Sequence, residues 1–303
     1  MTRPSAPPPE NQPSSQRPPS PRVPSPKAPS PSGETEQLRA TAEQLREQVS
    51  ELEIQARARP RIALAEGVLV ERYRLADAQA AFTLLRQASQ RANIKLHQLA
   101  SAVARTPGPA PGARTWFSGR APHPLPDLTA LEAGTLDASN QGEVLGAALH
   151  RVLAITGAGM GNVQLVEDGV LRMVKHTGLP RQFTDYFAFV DGKTSCARAA
   201  SSTTQVTVKD VATSAGFDDE RRRVILAAGS RACHSVPIVD DEDTVHGVIS
   251  SHHDRPLTDF TQAQLHALHT TSRALGTWIK WHQHTVLVDA LEDLHQLALA
   301  SGR

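Results

Sequence analysis

The sequence predicts a mixed fold: a coiled coil and an α-helical three-helix bundle, followed by an α+β domain with a central antiparallel sheet. Three observations predict it. Apolar residues recur at alternating spacings of four and three between residues 38 and 56, which is the seam of a coiled coil. Residues 59–105 carry short helix-period apolar faces separated by cap residues. From about residue 138, helix-period and strand-rich runs are mixed, and Asp168-Gly169 stands between two of the strand-rich ones.

Taken in order, the chain begins with a Pro/Ser-rich segment, residues 1–33, in which proline is too frequent and apolar residues too few for a core. It is predicted to be disordered with polyproline II character. Ser20-Pro21-Arg22 and Ser25-Pro26-Lys27 read as parts of a solubilising tail, with phosphorylation or partner docking as the alternatives. Residues 34–58 follow as the coil, with Leu38, Ala42, Leu45, Val49, Leu52 and Ala56 on its seam. One helix cannot bury so narrow a stripe, so a second copy of the chain is expected to pair with it in parallel; the alternative is a stripe that folds back on its own chain.

Pro60 is expected either to kink the helix or to open the next one, where its missing donor costs little. Ile62, Ala65, Val68 and Leu69 then give an apolar face that runs to about Tyr73. Asp77 and Asn93 are the expected N-caps of the two helices that follow, with faces built on Ala81, Leu84, Leu85 and Ala88, and on Leu96, Leu99, Ala100 and Val103. Residues 106–137 read as a linker in which Trp116 and Phe117 are unusual enough to suggest docking on a domain. The α+β domain spans 138–285. It has a helix at 142–155, strands at 161–166, 170–176, 205–211, 233–239 and 245–251, and a long helix from 261 to about 284. A C-terminal helix, residues 286–303, ends the chain.

Charge is segregated along these units. The chain carries +1 in all, but residues 1–33 carry +3, residues 34–56 carry −4, residues 57–105 carry +6 and residues 106–303 carry −4. A small module with so large an excess is an electrostatic footprint for a polyanion. Cys196 and Cys233 are too few for a disulfide framework, no run of eighteen apolar residues occurs, and Met-Thr-Arg-Pro opens no signal region. A soluble cytoplasmic protein without membrane contact is expected. Enzyme signatures are missing: there is no phosphate-cradling Gly loop, no Gly-x-Ser-x-Gly elbow and no His-Glu-x-x-His. His252-His253, His266 with His269, and His282 with His284 lack ligand partners at zinc-like spacing, so no metal is expected.

Two resemblances sharpen this reading. Ile62, the Ala65-x-Gly67 step, Leu69, Ala81-Phe82, Leu84-Leu85-Arg86, Ser89, Asn93 and Lys95-Leu96 together resemble the ANTAR domain, an RNA-binding module of transcription antitermination regulators. The resemblance implies recognition of paired stem-loops in leader RNA, whose formation prevents a terminator hairpin, and it points to bacteria. Glu66 departs from it, because the family usually has Lys between that Ala and Gly. Gly161-Asn162-Val163-Gln164-Leu165, Lys209-Asp210-Val211, the Arg231–Ile238 run and Gly247-Val248-Ile249-Ser250 resemble a GAF sensor domain over residues 138–285. In the familiar order the sensor precedes ANTAR, and here that order is reversed. Methionine sulfoxide reductases with a GAF fold use a cysteine cluster that Cys196 and Cys233 do not reproduce.

The predicted RNA-binding residues are Arg86, Ser89, Arg91, Asn93 and Lys95, with Tyr73 as the aromatic placed to stack. Arg86 and Ser89 fall on one helix face, and Arg91 and Lys95 bracket the junction of the second and third helices. The predicted sensor pocket lies between sheet and helices, lined by Tyr186, Phe189, Cys196 and His234. Cys196 reads as a buried inert thiol, with redox sensing as the alternative. The expected partners are RNA, a second copy through the coil and a small-molecule ligand at the sensor; no cofactor is implied. The function predicted is a signal-responsive RNA-binding antitermination regulator, and the alternative is a coiled-coil/GAF adaptor that assembles protein partners.

Overall fold

A computed structural model describes residues 31–190 and 194–301, with backbone alone at several positions between 31 and 58. The predicted tail and its Ser-Pro repeats lie, up to residue 30, outside the described residues. Residues 31–44 fall in a first unit and residues 45–301 form a second.

A single helix, α1 (Pro31–Tyr73), runs from the first unit into the second and passes through Pro60 without ending. The predicted coil and the first bundle helix are therefore one element. In the second unit, α2 (Ala78–Arg91) and α3 (Leu96–Arg105) pack on α1. Their common core holds Ala65, Leu69, Ala81, Leu85, Leu99 and Val103, all fully buried. Asp77 caps α2 as expected, its Oδ1 accepting the Ala80 N–H at 2.8 Å. Asn93 does not cap α3. It holds a left-handed φ of +52° just past α2, and Lys95 takes the N-cap position without a side-chain bond. The chain has only four residues, 92–95, in which to turn between the helices, and Asn is among the few non-glycine residues that tolerate this conformation.

Six antiparallel strands form the sheet of the α+β domain: β1 (Met160–Glu167), β2 (Val170–Thr177), β3 (Phe189–Val190), β4 (Val206–Val208), β5 (Ala232–Val239) and β6 (Val245–His253). Their order is β3-β2-β1-β6-β5-β4. Asp168 and Gly169, with φ of +53° and +79°, turn the β1–β2 hairpin, as the Asp-Gly pair predicts. One sheet face is covered by α4 (Gln141–Thr156) and α8 (Gln262–His284), which bury Leu149, Val152, Leu275 and Trp278 against Val163, Val236 and Ile249. The other face meets α5 (Arg181–Tyr186), α6 (Ser195–Ser202) and α7 (Asp219–Ala227). Gly276 lets α8 lie on β5, since a Cβ there would meet the Val239 carbonyl oxygen at 2.0 Å.

The last helix, α9 (Val286–Ser301), does not stay with the sheet. Ala290, Leu291 and Leu294 enter the same core as Leu69, Leu85 and Leu99, so the three-helix bundle is closed by a fourth helix from the far end of the chain. The segment before the α+β domain docks there too. Trp116 is buried in this core, its Nε1 donates to the Pro107 carbonyl at 2.8 Å, and the Arg72 guanidinium lies 4.8 Å from the ring centroid. The Glu292 carboxylate accepts the N–H groups of Trp116 and Phe117 at 2.8 and 3.2 Å. Among the described residues, no helix is long and apolar enough to cross a membrane.

Candidate RNA interface and sensor cavity

The α2–α3 corner of the bundle carries the predicted RNA residues, and the structure separates them. Arg86 and Lys95 are exposed and make no ion pair among the described residues. Arg91 is exposed as well, but Asp293 of α9 holds its guanidinium at 3.1 Å. Asn93 is exposed in the turn. Ser89 points inward instead: it is 8% exposed, and its hydroxyl donates to the Ile94 carbonyl at 2.6 Å, closing the turn. Tyr73 is likewise not a free stacking ring. Its hydroxyl is 2.9 Å from His295 Nδ1 of α9, the ring packs in the bundle core, and burial pushes its phenol up to about 12. His295 lies 222 positions away, beyond reach of local pattern reading.

A second group of basic residues faces the sensor domain. The β1–β2 turn offers Glu167 and Asp168 to the bundle, where Asp168 pairs with both Arg61 and Arg105 and Glu167 accepts from Arg61 at 3.2 Å. His97 and Arg172 also contact Glu167, at 3.5 and 3.2 Å. Burial alone would raise the Glu167 carboxyl, yet the His97 hydrogen bond and the Arg172 charge hold it at about 2. This cluster was not predicted. Its only sequence signal is an acidic pair in a hairpin turn of a chain whose basic residues are gathered elsewhere.

In the sensor domain a cavity of about 20 Å³ lies between the sheet and α5–α7, at the predicted place. That is room for roughly one water. Of the four predicted lining residues only Cys196 borders it, with its Sγ 3.3 Å from Ser250 Oγ. Tyr186 is 37% exposed and abuts Phe187, which does line the cavity. Phe189 is one residue off register from the lining Val190, so strand alternation turns it to the other side. His234 alternates in the same way with the lining Cys233. It is fixed on the α8 side by Thr207 and Gln205, at 2.8 and 2.9 Å, against Phe260, and burial lowers it to about 4.

The polar wall comes from residues the sequence reading missed. His252, lowered to about 4 by burial, bridges Ser230 Oγ at 2.9 Å and Asn162 Oδ1 at 3.0 Å. Gln164 donates from Nε2 to the Phe187 carbonyl at 3.3 Å, and its buried Oε1 has no partner among the described residues. These side chains are the outward half of β1 and β6, whose other half fills the α4–α8 core, so strand alternation was the available signal. The wall is uncharged, and it asks a ligand for an N–H or O–H donor. The Cys233 thiol beside it is pushed up to about 12 by burial, which makes it a poor nucleophile. Among the described residues, no group of three or more His, Cys, Asp or Glu is placed to hold a metal.

With this geometry in hand, comparison with known proteins locates both halves. The ANTAR domain family matches residues 50–103 and the GAF domain family residues 141–278. No curated protein matches the chain. Solved structures are similar over about half of it. A GAF domain/HD domain protein from Geobacter sulfurreducens is 15% identical over 52% of this chain and 98% of its own, with a TM-score of 0.41. The GAF domain of an Acinetobacter phosphoenolpyruvate-protein phosphotransferase is 14% identical over 50% and 87%, at 0.39. The free methionine-R-sulfoxide reductase from Neisseria meningitidis is 18% identical over 50% and 95%, at 0.34. The chain is an ANTAR–GAF fusion, the architecture of a signal-sensing regulator.

Proposed function

We propose that the chain regulates transcription antitermination by binding paired stem-loops in leader RNA through its ANTAR domain, under control of a small ligand at its GAF domain. The observation that carries this reading is the exposed, unpaired Arg86 and Lys95 at the α2–α3 corner of the ANTAR domain. Such cations meet phosphates and set affinity and salt dependence. Arg91 joins them when phosphate replaces Asp293. Two copies joined through the coil seam engage two stem-loops at once and gain by effective concentration. The regulator has no catalytic step of its own.

Control runs through the β1–β2 hairpin in this reading. A cavity of about 20 Å³ must open to admit a ligand. Its wall shares β1 with the turn that holds Arg61 and Arg105, so displacement of β1 changes how much of the basic surface is free. Binding of the full chain to a tandem stem-loop leader RNA and to a scrambled control, across a salt series, tests the proposal. Preference for the leader RNA, with affinity falling steeply in salt, is expected. The Arg86→Ala/Lys95→Ala variant should bind more weakly and lose about two from the log–log salt slope; unchanged binding and slope would remove this surface from the reading. A second reading, a protein-assembling adaptor, is favoured by the acidic partners already on Arg61, Arg91 and Arg105, and equal, weak binding to both RNAs would favour it.

A further inference from the structure

Between the bundle and the GAF domain lies a cleft of about 650 Å³, whereas the cavity between the sheet and α5–α7 holds about 20 Å³. The larger volume accommodates a small organic molecule, the smaller one roughly a single water. Apolar side chains line the cleft from both domains: Ile94 and Ala102 from the bundle, Leu165, Val245 and Ile279 from the GAF domain. Its charged side chains are already matched. Asp168 pairs with Arg61 and Arg105, and Glu167 accepts from Arg61. One wall residue is not matched. His282, on α8, is 7% exposed, and its buried Nε2 makes no hydrogen bond among the described residues. Burial keeps its ring neutral, lowering it to about 4. An unpaired polar atom at such depth is costly, and a partner delivered by a ligand removes the cost. The cleft also holds two carboxamides, Gln98 and Gln141, whose mutual hydrogen bond is long at 3.4 Å.

We propose that this cleft is a second ligand site, for an uncharged, flat heterocycle with an imide edge, in which a ring N–H stands between two carbonyls. A charged ligand would compete with the ion pairs already on the wall, and the rest of the lining is neutral. Apolar walls on two sides suit the faces of a flat ring. An imide edge offers a donor and two acceptors together, so it meets Nε2 of His282 whichever tautomer that ring holds. The carboxamides of Gln98 and Gln141 carry the complementary donor and acceptor. The site goes beyond the proposed function, which puts the controlling ligand in the cavity beside α5–α7, and either can fail without the other. An occupant of the cleft touches α3 of the ANTAR domain and α8 and β6 of the GAF domain at once. Its binding therefore acts on the contact between the domains directly, without passing through the sheet.

Lumichrome, an uncharged fluorescent tricycle with an imide edge, serves as the probe in titrations with the full chain near neutral pH. Saturable binding of one molecule per chain is expected, and the derivative methylated at the imide nitrogen should bind about tenfold more weakly. His282→Leu and Gln98→Leu should each weaken lumichrome by a similar factor. Ser101→Trp, from a half-buried position on α3 that lines the cleft, should fill the space and abolish binding. Circular dichroism checks that each variant folds; should His282→Leu not fold, the two α3 variants carry the test. Binding unchanged by methylation would overturn the choice of ligand. Binding unchanged in the folded variants would place the probe elsewhere and overturn the site. No binding of lumichrome at all would leave the cleft a solvent-filled seam and overturn both.

Discussion

Glu167 shows how one side chain ties the two domains together. Its carboxyl would ordinarily titrate near 4.5; burial pushes it up, but His97 and Arg172 hold it at about 2. The ionised form is therefore favoured by folding, a contribution fully present above about pH 4.5 and lost as pH falls through about 2. At 15% side-chain exposure the effect is roughly 2–3 kcal/mol. Glu167→Gln should lower unfolding stability by that amount at pH 7, with the gap closing toward pH 2; a gap independent of pH would mean that packing, not charge, is at work. His234, His252 and His282 act earlier. Each is held near 4 by burial, so their contributions begin to fade below about pH 6.5 and urea midpoints should already drop between pH 6.5 and 4. At this scale the exposure of Arg86 and Lys95 was legible, because such a side chain needs no partner. The partners of Tyr73 and His234 were not legible, because His295, Gln205 and Thr207 come to them from distant segments.

Whole elements divide along the same line. Long periodic runs were readable: α4, α8, β1, β2, β5 and β6 form near the predicted positions. Helices of six to nine residues, α5, α6 and α7, and the two-residue β3 were not, because so few residues complete no diagnostic period. Pro60 was read as a kink or as the start of a new helix; α1 runs through it, which removes the second alternative, since a proline on the exposed face costs one hydrogen bond without disturbing the core. For α9 the apolar face was legible but its destination was not, because periodicity says that a face is buried and not against what. Leu291, fully packed among ANTAR-domain side chains, marks that destination. Leu291→Ala should cost 2–5 kcal/mol in chemical unfolding, whereas Leu299→Ala, at an exposed position of the same helix, should stay within about 0.5 kcal/mol. Equal effects would separate α9 from the bundle. Gly276→Ala tests the α8 contact: with the Val239 carbonyl oxygen 2.0 Å from the added Cβ, a loss of at least 1–3 kcal/mol is expected.

At the scale of the molecule, the ANTAR domain is enclosed by parts of the chain that follow it: α9 on one side, the Trp116 segment beside it, and the sensor hairpin on Arg61 and Arg105. Placing the sensor after the RNA-binding module does not isolate the two, because the C-terminal helix returns to the bundle. On the proposed reading, a sensor on the N-terminal side would act through the coil and one in this position acts through the hairpin turn. Asp168 is the point at which that coupling can be cut without breaking the fold. Its φ of +53° is one that Asn tolerates, so Asp168→Asn keeps the turn while removing the charge. On the RNA reading this frees Arg105, while Arg61 stays on Glu167. Affinity for a tandem stem-loop RNA should rise, on the order of tenfold at low salt, and the salt slope should steepen as more counterions are released. The gain should shrink as salt rises through the physiological range, because the freed cation acts at an exposed surface. If Asp168→Asn instead lowers stability and leaves RNA affinity and slope as they were, the ion pairs only hold the domains together, and the path from sensor to RNA must run through α9.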